Sequence, residues 1–101
     1  RSFCFVDDLV KGIMKLAASD IHEPLNIGNP DECSILDFAK FILKKVPHSK
    51  SKITFQSLPH DDDPKQRCPD ITRAKKLLSW SPRITLEEGI SSTLEYFKSQ
   101  L

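Results

Sequence analysis

The chain has 101 residues and a formal net charge of +1, with 39% hydrophobic and 29% charged side chains. That is the make-up of one small globular domain, which would bury somewhat under ~70% of its unfolded surface. A near-neutral balance gives no electrostatic case for nucleic acid or an anionic membrane, and no apolar run approaches the ~20 residues of a membrane span. The three cysteines are odd in number and form no C-x-x-C pair. This argues against a disulfide framework or a zinc site and fits a reducing compartment. The first residue is Arg and no signal-peptide pattern follows, so the chain reads as a piece of something longer.

Arg1 to Val6 reads as a short strand or extended entry, since Phe3, Cys4, Phe5 and Val6 favour a pleated, buried backbone. Asp7 and Asp8 then precede an apolar-periodic run, Leu9, Val10, Ile13, Met14, Leu16 and Ala17. That spacing predicts an amphipathic helix with both carboxylates capping its start. Leu25 and Ile27 share a face of a second short strand that runs into a turn at Gly28, Asn29 and Pro30. Ser34 is placed to cap a second helix whose apolar face is Ile35, Phe38, Ala39, Ile42 and Leu43. Lys44 and Lys45 suit the negative end of its dipole, and Pro47 stops it. Lys52 to Gln56 alternates like a third strand.

Ser57 to Pro69 is a long loop for so small a domain, and loops of this length are usually functional or disordered. His60-Asp61-Asp62-Asp63 has metal-ligand residue types, but consecutive residues in an extended loop point to different sides, so it reads as a solvated acidic turn. The loop ends in Asp63-Pro64-Lys65-Gln66-Arg67-Cys68-Pro69-Asp70. Two prolines stiffen the backbone there. A guanidinium held at Arg67 can grip phosphate oxygens through parallel hydrogen bonds. Asp70 can accept from a sugar hydroxyl or cap the helix predicted from Ile71 to Leu78. Trp80 reads as a plug between that helix and the next. Thr85 and Glu88 form a capping box for a last helix reaching about Lys98, with Leu86, Ile90, Leu94 and Phe97 inward. The assembled expectation is an α+β unit: helices, two or three short strands and one long, Arg-bearing loop.

Four stretches in this order carry a resemblance: Arg-Ser-Phe-Cys-Phe-Val-Asp-Asp-Leu, Leu-Asn-Ile-Gly-Asn-Pro, Asp-Asp-Pro-Lys-Gln-Arg-Cys-Pro-Asp-Ile, and Ala-Lys-Lys-Leu-Leu-Ser-Trp-Ser-Pro. They resemble the C-terminal part of the extended short-chain dehydrogenase/reductase enzymes that act on nucleotide sugars. Within that family the long loop is most similar to the UDP-glucuronic acid decarboxylases, also called UDP-xylose synthases. The resemblance implies that residues 1–101 are a small C-terminal substrate-binding subdomain of a Rossmann-type enzyme, whose N-terminal domain holds NAD and is absent from this chain. It implies oxidation of the sugar's C4 hydroxyl, loss of CO2 from a 4-keto acid and return of the hydride, turning UDP-glucuronate into UDP-xylose. Cofactor and protein divide the work: NAD carries the redox chemistry, and the protein holds the ring in register.

Carried over by position, Arg1 and Arg67 match arginines on the diphosphate, and Asp70 matches a carboxylate near the nucleotide ribose. No catalytic, cofactor-binding or metal-binding residue is expected in this chain. It has no glycine-rich NAD loop and no Tyr-x-x-x-Lys pair, since Tyr96 is followed by Gln100, so the chain alone should be inactive. Cys68 stands where relatives more often carry Lys, which removes a charge beside the phosphate loop. The resemblance further implies a homodimer when full length, no membrane contact from this segment, and a cytoplasmic or, with an N-terminal anchor, a Golgi-lumen location. Two alternatives remain on these residues: an epimerase or 4,6-dehydratase of the same superfamily, or a non-catalytic nucleotide-sugar-binding remnant.

Overall fold

Four helices and their connections make up the computed structural model, which describes residues 1–101: α1 (Val6–Ala17), α2 (Ile35–Lys45), α3 (Thr72–Leu78) and α4 (Leu86–Ser99). No helix is long and apolar enough to cross a membrane. The helices begin where local chemistry directs. The Ser34 hydroxyl accepts from the Asp37 amide at 3.0 Å and opens α2. The Thr85 hydroxyl accepts from the Glu88 amide at 3.2 Å and opens α4. Each satisfies one of the amides a helix start leaves without a partner. α3 ends in a left-handed residue, Ser79 at φ 50°, after which the Trp80 amide reaches back to the Ala74 carbonyl at 3.3 Å. The Lys15 ammonium of α1 then donates to the Leu78 and Ser79 carbonyls at 3.4 and 3.2 Å, where a cation suits the helix end.

The expected strands do not form. One antiparallel bridge, Ser2 to Glu32, is all the β-pairing present, flanked by reciprocal backbone bonds between Arg1 and Cys33 at 3.0 and 2.9 Å. A strand is stable only with a neighbour on its hydrogen-bonding edge. Lys52 to Gln56 finds none in this chain, and Phe55 is left 81% exposed. The apolar alternation was real, but the ladder it needs is missing. The resulting fold is helical with extended connections, which corrects the two or three strands expected.

The core lies between α1 and α3. Ile71, Ala74 and Trp80 are buried, with Leu25, Ile27 and Leu78 packed against them. Trp80 therefore plugs the gap toward α1, rather than the gap between α3 and α4. Its indole Nε1–H donates to the Asp8 carbonyl at 3.0 Å, so the ring's one polar group is satisfied as it is buried. Gly12 makes room for this: a Cβ there would lie 2.7 Å from the Ile27 Cγ2 and 3.1 Å from the Trp80 Cε2. Asp8 also departs from its expected role. Its side chain is 3% exposed and accepts from the Arg83 and Ile84 amides at 3.0 and 2.8 Å, pinning the approach to α4 instead of capping α1.

α2 contributes no buried residue. It is tied on by Phe38, which stacks on Phe3 at 4.0 Å between ring centroids, and by Lys45, which pairs with Glu87 of α4 at 2.8 Å. The first contact brings α2 toward the N-terminal segment that carries Arg1, and the second joins it to α4.

Candidate functional site

Arg1 and Arg67 come together. They line one open depression of about 650 Å³, bounded by Arg1 and Ser2, by Asn26, and by the loop residues Gln66 to Pro69. Sixty-odd residues of chain separate the two arginines, so only the fold could join them. The entry segment delivers Arg1 through its backbone pairing with Cys33. The loop delivers Arg67 because its end is fastened to the 30–32 turn: the Gln66 amide donates to the Glu32 carboxylate at 2.8 Å, and the Cys68 thiol donates to the Pro30 carbonyl at 3.2 Å. Pro69 then seats against Gly28, where a Cβ would come within 2.9 Å of the Pro69 Cγ. Gly28 is thus needed for close approach, and its φ is not positive.

The two guanidiniums are not equivalent. Arg1 Nη2 donates to both carboxylate oxygens of Asp63 at 3.0 Å. Arg67 pairs with no carboxylate. The depression therefore holds one compensated and one uncompensated cation. The acidic turn at residues 60–63 is not simply solvated, because Asp63 is the partner of Arg1. Sequence reasoning missed that pair, as it missed Gln66 with Glu32. Neither has a local signal, since the partners lie 62 and 34 residues apart.

Asp70 stands beside this depression without lining it. Its Oδ1 accepts from the Thr72 amide at 3.0 Å and the Thr72 hydroxyl at 2.6 Å, at the start of α3. Those two bonds, the hydroxyl's first, hold the Asp70 carboxyl below the usual aspartate range. Its Oδ2 has no protein donor. Glu32 is also lowered, first by Gln66 and then by Cys68, while the Cys68 thiol is raised mainly by the neighbouring Glu32 carboxylate.

A more enclosed cavity of about 540 Å³ lies elsewhere, between the Phe3–Val6 segment, Phe38 and α4. No charged side chain lines it, whereas both arginines line the more open depression. The chain has no glycine-rich stretch. Each of its three glycines is closed off by a neighbour: Gly12 by Ile27 and Trp80, Gly28 by Pro69, and Gly89 by Phe5. No cluster of His, Cys, Asp and Glu could hold a metal ion.

No family model matches the chain. The curated relatives do. Zebrafish UDP-glucuronic acid decarboxylase 1 is 48% identical over 102 residues, covering all of this chain and 24% of that protein. Arabidopsis UDP-glucuronic acid decarboxylase 5 is 41% identical over the whole chain and 29% of its own length. Along its whole length the chain is similar to UDP-glucuronic acid decarboxylases. Among solved structures, UDP-glucuronic acid 4-epimerase from Bacillus cereus, in complex with UDP-glucuronic acid and NAD, superimposes with a TM-score of 0.84 at 31% identity. That match covers all of this chain and 32% of the epimerase. The chain thus spans between 22% and 32% of the proteins it matches. The resemblance read from the four sequence stretches holds along the full length of the chain, and the fold agrees with it.

Proposed function

We propose that this chain is the sugar-nucleotide-binding part of a NAD-dependent UDP-glucuronic acid decarboxylase, with Arg1 and Arg67 gripping the diphosphate. The observation that carries this is the meeting of two guanidiniums in one depression, in a chain otherwise balanced in charge. A diphosphate presents several acceptor oxygens and at least two charges, and each charge-assisted bond contributes about 1.5–3 kcal/mol. Energy from this non-reacting end of the substrate can be used to fix the sugar ring for chemistry. Asp70 is the carboxylate assigned to the ribose, through the Oδ2 that Thr72 leaves free. NAD would accept and return the hydride from a domain outside this chain; the residues here bind and orient.

The match to the 4-epimerase supports a second reading, in which the same grip serves epimerisation at C4. A product assay on the intact protein separates the two. Given UDP-glucuronate and NAD, a decarboxylase releases CO2 and UDP-xylose, whereas an epimerase keeps the carboxylate and yields the 4-epimer. For the grip itself, Arg67→Ala in the intact protein is expected to weaken UDP binding roughly tenfold to a hundredfold, the loss of one such bond. The melting temperature should barely move, because Arg67 is exposed and unpaired. Unchanged UDP affinity would remove the phosphate role.

A further inference from the structure

The Arg1–Asp63 pair has features of a temporary partner. Only Nη2 of Arg1 is engaged, and it serves both carboxylate oxygens. The strong arginine–carboxylate arrangement uses two nitrogens and two parallel bonds, and here it is not made. The side chains are 27% and 40% exposed, so water screens the pair, and exposed ion pairs contribute little. Asp63 is also the sole hydrogen-bonded tie of the stretch from Lys52 to Lys65, whereas the loop's other end is separately fastened at Gln66 and Cys68.

We propose that Asp63 is an exchangeable counter-ion: it occupies Arg1 while the depression is empty and yields it to the diphosphate. This rests on the phosphate role proposed above for Arg1 and deepens it. A diphosphate competes with two or more charges and can take the parallel geometry that Asp63 leaves unused. Because the exposed pair is weak, giving it up handicaps any ligand only slightly, and a dianion gains most by taking Asp63's place on Arg1. Exchange also frees the upstream half of the loop, while Arg67 stays placed by its own fastening.

The test is UDP titration calorimetry on the intact protein and five variants, one of them a double. Asp63→Asn removes the competing charge and should tighten UDP binding about twofold to fivefold, the span of an exposed ion pair. Asp62→Asn makes the same charge change without touching Arg1 and should leave the affinity unaltered. In an Arg1→Ala background, Asp63→Asn should lose its effect. If Asp63→Asn weakens or does not alter binding while Arg1→Ala and Arg67→Ala still weaken it, Asp63 is a brace or a bystander, and the exchange is wrong although the grip stands. If Asp62→Asn tightens binding equally, the effect is general electrostatics, and the exchange is again wrong. If neither arginine variant changes UDP affinity, the grip and the exchange fall together.

Discussion

At Cys68 an exposed thiol lies against a carboxylate, and that neighbour sets its chemistry. The neighbouring Glu32 carboxylate pushes the thiol upward and depletes the reactive thiolate. Cys68 should therefore alkylate slowly with iodoacetamide at pH 8 despite its exposure. Glu32→Gln should speed it, read by mass spectrometry of the 66–75 region; equal rates in the two proteins would contradict this account. The same scale shows what residue types alone could convey. Arg67 was legible because an arginine between prolines in a long loop is an exposed, positioned cation whatever surrounds it. Arg1 was placed only by resemblance, and its partner Asp63 was invisible. Asp8 was misread for a related reason. An aspartate at a helix start is ordinarily bound to local amides, and the amides of Arg83 and Ile84 are about 75 residues away.

Helix limits were largely written in local sequence, since capping needs only neighbours within a turn. Ser34 and Thr85 do what their spacing from Asp37 and Glu88 requires. Which face of a helix is buried is a tertiary matter. On α1 the expected apolar face splits: Leu9 and Leu16 are half-buried around buried Gly12, while Val10, Ile13 and Met14 are exposed. Gly12→Ala should accordingly destabilise by about 1–3 kcal/mol in spite of alanine's better helix propensity, because its methyl would overlap Ile27 and Trp80. Urea melts would check this, and a neutral or stabilising result would mean that the α1–α3 seam is looser than drawn. At the start of α3 the Asp70–Thr72 contact is titratable. Thr72 lowers the folded-state pKa of Asp70, so its contribution is complete above the unfolded value, near 3.9, and is lost as pH falls through the lower folded value. Amide exchange in the first turn of α3 should therefore show extra opening below about pH 4. Asp70→Asn keeps an acceptor oxygen without the charge and should abolish that pH-dependent part; an unchanged pH profile would separate Asp70 from the helix start.

The whole molecule is spread thin. Its radius of gyration is 16.3 Å, against about 13 Å for a compact chain of this length, and seven of 101 residues are buried. Met14, Phe55, Tyr96 and Phe97 are each at least 60% exposed. Expressed by itself, the 101-residue chain should bind the dye ANS and melt over a broad range, as expected for unsatisfied apolar surface. A sharp, cooperative transition without dye binding would show that the α1–α3 core suffices. The strands failed at this same scale: periodicity states which side of a segment wants burial, and a sheet exists only if another segment supplies the edge. What the sequence determined by itself was local or inherited. Helix starts and stops follow from short-range hydrogen bonding, and the likeness to nucleotide-sugar enzymes follows from four stretches in order. Tertiary structure alone decided that Arg1 and Arg67 share a depression, that Asp63 compensates one and not the other, and that Trp80 packs toward α1. Those outcomes depend on contacts between segments far apart in the chain, whose geometry no local pattern encodes.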